Sequence, residues 1–231
     1  MLRRKRKSPR EPNSSKRRNP RKKRRKKRSS TLLSSLYSPK KSEDLKIVVG
    51  LGNPEPQYQL TRHNFGFLAV DYIVAGISSI REKEESLYVY YEGEIEGERV
   101  VLFKPTTYMN RSGIAVKEVL GKYGCSEGDL IVLYDDIDIE LGKIRLRMEG
   151  GSSGHKGVQS IIDHLQKEGF VRIRLGLKRG DFKPEDLTSY VLAEFTEEEK
   201  PLVERALDLA EKALIRILRG NLLQAMNIFN Q

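Results

Sequence analysis

Two of the three histidines lie in loops rich in glycine, proline or serine, each just before a segment with helical apolar periodicity. His63 ends a loop that starts at residues 50–54 (GLGNP), and His155 follows a glycine/serine loop. Asp135 comes directly after the apolar run at residues 129–134, which predicts it at or just past the end of a strand. Ligands bind beside strand ends in open α/β sheets. We therefore expect His63 and Asp135 to meet, with the carboxylate orienting the imidazole as a general base.

Water is the expected nucleophile, because the sequence lacks the usual side-chain alternatives. It contains no Gly-x-Ser-x-Gly elbow, which argues against a generic esterase. Cys125, the single cysteine, lies in a Gly/Ser/Glu turn without a histidine beside it. The third histidine, His164, falls inside a helical pattern and is expected to be a solvated helix residue.

A metal site and a phosphate loop are the other chemistries that the sequence suggests, and both signals are weak. Asp135, Asp136, Asp138 and Glu140 have the right ligand type for Mg²⁺, but the run lacks the glycine and the distant glutamate of an EF-hand. The loop at residues 50–54 lacks the third glycine of a dinucleotide fingerprint and a Walker lysine. We expect no metal ion and no cofactor.

The elements that must position these residues alternate between strands and helices. Helices are predicted to begin near residues 65, 114 and 158, and a long amphipathic helix spans residues 197–218. Strands are predicted at residues 47–49, 87–91, 92–96, 99–104, 129–134, 143–147 and 171–177. This order predicts one α/β domain with a mixed, largely parallel sheet and helices on both faces.

Charge divides the chain near residue 41. Residues 1–41 hold 19 of the 43 Lys and Arg against one acidic residue, Glu11, whereas residues 42–231 carry a net charge of −7. We expect residues 1–44 to form a disordered basic tail, because they bury too little apolar surface to fold. Residues 45–231 then form the domain. Three interpretations of the tail stay open: an RNA-binding arm, an organelle presequence, or a start codon placed too far upstream.

Composition also limits the compartment. No apolar run reaches the 18 residues of a membrane span, and the apolar core of a secretory signal is missing. One cysteine excludes a disulfide framework and fits a reducing compartment. We expect a cytoplasmic protein, or a protein of a plastid or another organelle if the tail is a presequence.

Seven segments, in order over about residues 45–231, resemble the bacterial-type peptidyl-tRNA hydrolase family: VGLGNPEPQYQLTRHNFGF, KPTTYMNRSG, LYDDIDIELGKIRLR, GGSSGHKGVQSI, RIRLGLKRG, SYVLAEF and AMNIFN. The resemblance implies a monomer that cleaves the ester between peptide and tRNA in peptidyl-tRNA without a metal. Some plant-organelle relatives of this fold are instead RNA-splicing factors, and a non-catalytic RNA-binding role is the alternative.

The resemblance also implies roles for individual residues. His63 resembles the general base and Asp135 its partner, while Asn53 and Asn110 resemble the amides that hold the peptide backbone and the 3′-terminal adenosine. The remaining residues implied in substrate or tRNA binding are Tyr58, Tyr108, His155, Lys156, Arg147 and Arg174, the two arginines as a clamp on the tRNA 5′-phosphate. The alternative for the arginines is that alternate residues of charged strands (Arg145/Arg147 and Arg172/Arg174) face solvent.

Lys156 departs from the family pattern, which usually has asparagine directly after the second histidine. That asparagine is thought to steady the attacking water, and a lysine cannot accept a hydrogen bond. Its charge would also disfavour a protonated His63 nearby. Either Lys156 turns to phosphate, or the water is held by other groups.

Overall fold

The computed structural model describes residues 45–77, 80–180 and 184–231, so the basic tail expected at residues 1–44 lies outside the described residues. The strands are β1 (Lys46–Gly50), β2 (Arg81–Glu84), β3 (Tyr88–Ile95), β4 (Glu98–Pro105), β5 (Leu130–Glu140), β6 (Ile144–Arg147) and β7 (Val171–Lys178). The helices are α1 (Phe65–Ala75), α2 (Ser112–Tyr123), α3 (Lys156–Leu165), α4 (Leu187–Leu192), α5 (Lys200–Leu218) and α6 (Leu222–Phe229). Short 3₁₀ turns lie at Pro56–Tyr58, Arg62–Asn64, Met109–Arg111 and Glu127–Asp129. Among the described helices, none combines the length and apolar character of a membrane span.

The strands form one seven-stranded sheet in the order β2-β3-β4-β1-β5-β7-β6. The four central strands, β4, β1, β5 and β7, run parallel, while β2, β3 and β6 join the edges in antiparallel pairs. The prediction of a mixed α/β sheet is confirmed, with its parallel part in the centre.

Helices cover both faces of the sheet, as the sequence predicts. Side chains alternate along β1, so that Val48 packs in one buried cluster while Ile47 and Val49 pack in the other. The first cluster includes residues of α1, α5 and α6, and the second includes residues of α2 and α3. Burial of each such aliphatic side chain contributes about 1.5–3 kcal/mol, and these two layers hold the strand tips that carry the site.

The strand that carries the carboxylates is longer than the sequence predicts. β5 continues past Tyr134 to Glu140 because β7 continues to pair with it, Asp135 lying opposite Leu175. β1 ends earlier, with Gly50 opposite Leu133. The predicted strand end at Asp135 is therefore wrong, but one side of β5 is free of a neighbouring strand from this point, and a crevice opens there.

Close backbone contact fixes α1 against the sheet at the edge of this crevice. A Cβ atom on Gly66 would lie 2.3 Å from the Leu133 carbonyl oxygen, and a Cβ atom on Gly50 would lie 2.2 Å from the Gly66 oxygen. Both positions therefore require glycine. The segment around His63 is held at a defined distance from β5.

Candidate active site

The floor of the crevice is a buried carboxylate between two imidazoles. Asp135 is 4 % exposed. His63 Nδ1 lies 3.1 Å from both Asp135 carboxylate oxygens, and His155 Nε2 lies 3.0 Å from Asp135 Oδ1. The structure thus brings together His63 and Asp135, which the sequence predicts to meet, and adds His155 to the same carboxylate.

Backbone contacts define which nitrogens carry protons. The Val158 N–H points at His155 Nδ1 from 3.3 Å, so this nitrogen accepts and His155 donates to Asp135 through Nε2–H. His63 faces the same carboxylate with Nδ1 and donates there. The His63 Nε2 atom makes no hydrogen bond with the described residues, so its lone pair is available in the crevice to accept a proton.

The electrostatics favour an ionised carboxylate. Burial alone would raise the pKa of Asp135, but the neighbouring charges and hydrogen bonds of His155 and His63 outweigh burial and hold this pKa well below its usual range. An anion fixed under the two rings stabilises an imidazolium when one of them takes up a proton.

His63, Asp135 and His155 also have donor atoms within 4.8 Å of one another, close enough to hold a metal ion. A set of two histidines and one carboxylate is a known metal-binding arrangement. The nitrogen–oxygen separations of 3.0–3.1 Å are hydrogen-bond lengths, however, and both rings have a proton to donate. We interpret the cluster as a hydrogen-bonded one, and metal-free chemistry stays a prediction.

Asn53 reaches the crevice from the loop after β1, and a second asparagine holds it there. Asn64 is 1 % exposed; its amide accepts from Asn53 N at 2.8 Å and donates to Asn53 O at 2.9 Å. Asn53 Oδ1 accepts from Met109 N at 3.0 Å. Its Nδ2 amide is therefore the group left for a ligand, whereas Asn64, which the sequence places beside His63 as a further polar group, is structural.

A cavity of about 590 Å³ surrounds these groups. The structure places eight of the predicted site residues on its lining: Asn53, Tyr58, His63, Tyr108, Asn110, Asp135, His155 and Lys156. Tyr108, Asn110 and Lys156 are exposed, and Tyr58 is half-buried. This set spans the loops after β1 and β4, strand β5 and the start of α3, so all four segments converge on one site.

An apolar wall of the cavity was missed by the sequence reasoning. Ile137 on β5 and Leu187 on α4 are 38 % and 44 % exposed, and Val191 and Met109 also line the cavity. Met109 lies inside one of the motifs of the resemblance, whereas α4 has only six residues and leaves no clear periodic signal. The wall gives the site an apolar side that faces its polar floor.

Arg147 and Arg174 lie on neighbouring strands outside the cavity lining. Arg147 is exposed, while Arg174 is buried and donates to Asp136 through Nε and Nη2, both at 2.6 Å. The two arginines are diagonal neighbours on one face of the β6–β7 ladder, where Arg147 pairs with Arg172. A clamp of the two arginines on phosphate stays a prediction. In the structure the guanidinium of Arg174 is already paired with the carboxylate of Asp136.

The alternative that all four strand arginines face solvent is wrong for β7. Arg172 is 2 % exposed and donates to the carbonyl oxygens of Gly150, Gly151 and Glu168. Its guanidinium also stacks over Phe170, 4.4 Å from the ring centroid. Arg172 therefore secures the loop that leads to His155, a role without a sequence signal.

His164 is half-buried, which corrects the expectation of a solvated residue. Its Nδ1 lies 2.8 Å from the Ser160 carbonyl oxygen, and a Cβ atom on Gly113 would lie 2.7 Å from the same nitrogen. The side chain therefore packs at the crossing of α2 and α3, because Gly113 lets the two helices approach closely.

The fold and this site define a class: a single α/β domain with a hydrogen-bonded histidine–aspartate cluster in a crevice beside the parallel strands. Comparisons with known proteins narrow the class. The family model for peptidyl-tRNA hydrolase matches residues 47–231. The peptidyl-tRNA hydrolase of Aquifex aeolicus is 42 % identical over 188 residues, covering 81 % of this chain and 97 % of the relative. That of Clostridium beijerinckii is 41 % identical over 184 residues, covering 80 % and 95 %.

A solved structure agrees with the sequence relatives. The crystal structure of peptidyl-tRNA hydrolase from Acinetobacter baumannii superposes with a TM-score of 0.75 at 34 % identity, covering 80 % of this chain and 94 % of that one. The chain belongs to the peptidyl-tRNA hydrolase family.

Proposed function

We propose that this chain hydrolyses the ester bond between peptide and tRNA in peptidyl-tRNA, with His63 as the general base. The observation that carries the mechanism is the hydrogen bond from His63 Nδ1 to buried Asp135, which leaves Nε2 as a base in the crevice. Membership of the family supports the substrate.

In this mechanism His63 Nε2 takes a proton from water as the water oxygen attacks the ester carbonyl carbon. The bond from that carbon to the tRNA 3′-oxygen then breaks, and the proton passes from the imidazolium to the departing oxygen. The products are a peptide carboxylic acid, which then loses its proton to solvent, and a tRNA with its 3′-hydroxyl restored. Asp135 stays ionised throughout, because its pKa is held low by the two imidazoles.

The polar lining supplies the binding groups. Asn53 Nδ2 and the Asn110 amide hold the peptide backbone and the terminal adenosine region through hydrogen bonds that do not depend on pH. Tyr58 and Tyr108 offer rings for stacking, and both line the cavity. Such contacts ignore the peptide side chains, which suits a substrate of variable sequence.

Charged groups are proposed to receive the tRNA body. Arg147 and Arg174 contact phosphate at the β6–β7 edge, Arg147 from an exposed position. Lys156 lines the cavity at the first residue of α3; its ammonium group makes no hydrogen bond or ion pair with the described residues and is free to meet a phosphate. His155 steadies Asp135 rather than reacting itself.

The organisation proposed for the whole chain is a basic tail at residues 1–44 and a hydrolase domain at residues 45–231 that works as a monomer. We place the activity in the cytoplasm, without a membrane partner, or in an organelle if the tail is a presequence. Neither location changes the chemistry of the site.

The test is hydrolysis of purified peptidyl-tRNA by the full chain. Replacement of His63 by alanine should lower turnover by about 10²- to 10⁴-fold while binding is largely kept. Lys167→Ala, at an exposed position after α3, is the control. Turnover that survives in His63→Ala would exclude this mechanism, and binding without turnover in the wild-type chain would favour the RNA-binding alternative.

A further inference from the structure

The residue directly before His63 forms an ion pair that is almost completely removed from solvent. Arg62 Nη2 lies 2.7 Å from Glu199 Oε2; Arg62 is 6 % exposed and Glu199 0 %. The partners are 137 residues apart in sequence. A buried ion pair adds little net stability compared with apolar residues of similar size, so stability alone does not account for it.

The same arginine is bonded to the segment that connects α4 and α5. Arg62 Nη1 donates to Glu194 O at 2.7 Å, and the Arg62 backbone N–H donates to Ala193 O at 3.0 Å. The guanidinium also lies over the rings of Tyr190 and Phe195, at 4.6 Å and 5.4 Å from their centroids. Four side-chain contacts, counting the pair with Glu199, and one backbone hydrogen bond thus hold Arg62 in place.

Glu199 is itself fixed by its own segment. Its Oε2 accepts from Thr196 N at 2.7 Å, directly before α5 begins. Arg179 Nη1 lies 3.6 Å from Oε1, a charge contact longer than a hydrogen bond, and Oε1 accepts no hydrogen bond from the described residues. Glu199 is therefore held in place by contacts other than its ion pair with Arg62.

These contacts reach two walls of the crevice at once. On one side, Arg62 opens the 3₁₀ turn that carries His63. On the other, α4 supplies the cavity residues Leu187 and Val191, and its end is bonded to Arg62. The turn is held from its far end by Asn64, which is bonded to the loop after β1. His63 thus lies between two fixed neighbours.

From this arrangement we propose that Arg62 and Glu199 are positioning residues for the reaction: their ion pair sets His63 against Asp135 and the α4 wall against the substrate. The proposal rests on the proposed function, because it deepens the role of His63. A displacement of about 1 Å at a reacting group costs on the order of 10²-fold in rate, so this anchor is expected to act on turnover.

The test uses the full chain and four variants: Arg62→Lys, Glu199→Gln, the double variant Arg62→Met/Glu199→Leu, and Lys200→Met. Lys200 is the matched control, because it is the neighbour of Glu199 and its ion pair with Glu197 is exposed. The double variant removes both charges, so no unpaired ion is left in the core. Melting temperature, kcat and KM for peptidyl-tRNA, and the NMR signal of the His63 Nδ1 proton are measured.

We expect kcat to fall about 10- to 100-fold in Arg62→Lys and Glu199→Gln, with KM changed less than about 3-fold. The double variant should recover melting temperature relative to the single variants without recovering kcat. The downfield proton of His63 should broaden or move in these three variants, and Lys200→Met should match the wild type in every readout.

The proposal is overturned if the double variant recovers kcat together with melting temperature, since the pair would then be structural. It is also overturned if kcat and the proton signal are unchanged in Arg62→Lys. A wild-type chain without hydrolysis would contradict the proposed function instead, and the proton signal would still report whether the pair positions His63.

Discussion

Replacement of Asp135 by asparagine keeps the base, His63, but changes how this base is oriented. The variant therefore tests what the orientation contributes to the rate. Asparagine keeps the shape of the side chain but presents one carbonyl oxygen and one NH₂ group to the two imidazoles. In the wild-type structure, His63 Nδ1 lies 3.1 Å from both carboxylate oxygens of Asp135, and His155 Nε2 lies 3.0 Å from one of them. Only the carbonyl oxygen of the amide accepts hydrogen bonds, so the amide cannot accept from the two rings through two oxygens as the carboxylate does. It also favours the tautomer in which His63 Nε2 carries the proton and cannot act as a base.

The expected size of the effect follows from the loss of charge. A carboxylate and an imidazolium about 4 Å apart interact by about 4 kcal/mol at an effective dielectric constant of about 20. A hydrogen bond to a charged group is worth about 1.5–3 kcal/mol. These terms overlap, so we expect a loss of about 2–4 kcal/mol of transition-state stabilisation. That loss corresponds to a fall in kcat of roughly 30- to 10³-fold, less than for His63→Ala.

Single-turnover hydrolysis of peptidyl-tRNA across pH 5–9 measures this change. Asp163→Asn, on the exposed side of α3, is the control and should follow the wild type. A turnover within about 3-fold of wild type across this pH range would refute the role of Asp135 as the orienting anion.

Three further substitutions test binding, and one deletion tests the tail. Arg147→Ala should raise the KM for peptidyl-tRNA and flatten the salt dependence of tRNA binding by about one unit; Arg174→Ala should do the same but also lower the melting temperature, because it leaves Asp136 buried without its partner. If KM and the salt slope are unchanged in both arginine variants, the two arginines have a structural role instead of contacting tRNA. Lys156→Asn should weaken tRNA binding at low salt and raise or keep kcat, and a fall in kcat would assign the lysine a part in catalysis. Deletion of residues 1–41 changes the net charge from +11 to −7 and should reduce non-specific RNA affinity at low salt while turnover and melting temperature are kept; loss of folding would contradict this.

The local part of the fold could be predicted from the sequence because local patterns encode it. The apolar run of β1, the breakers after it and the periodicity of α1 predict His63 at a helix start, and the family motifs imply Asn53 and Asn110 as binding amides. β2 was missed because its four residues, Arg81–Glu84, are all charged and are defined by pairing with β3. A strand of that composition has no signal of its own.

Contacts between distant parts of the chain could not be predicted in the same way. The sequence pattern of Arg172 and Arg174 is typical of solvent-facing residues in a charged strand. Each is nevertheless buried against partners from elsewhere in the chain, carbonyl oxygens for Arg172 and Asp136 for Arg174. The Arg62–Glu199 pair is likewise invisible from either local sequence. A pattern of charged residues predicts solvent exposure only where no other segment of the chain packs against those residues. The local sequence does not show whether such a segment is present.

The geometry of the His63–Asp135 pair is set by backbone packing more than by the length of the side chains. Gly66 contacts the carbonyl oxygen of Leu133, and Leu51 N donates to that same oxygen at 3.0 Å, so the ends of β1 and α1 meet at one point of β5. Asp135 lies two residues further along β5 and therefore on the same face as Leu133. His63 lies three residues before Gly66 and is held over that face. Its distance to Asp135 is thus set by a strand-to-helix contact that admits only glycine, and for this reason a short dyad can form between residues 72 positions apart in sequence.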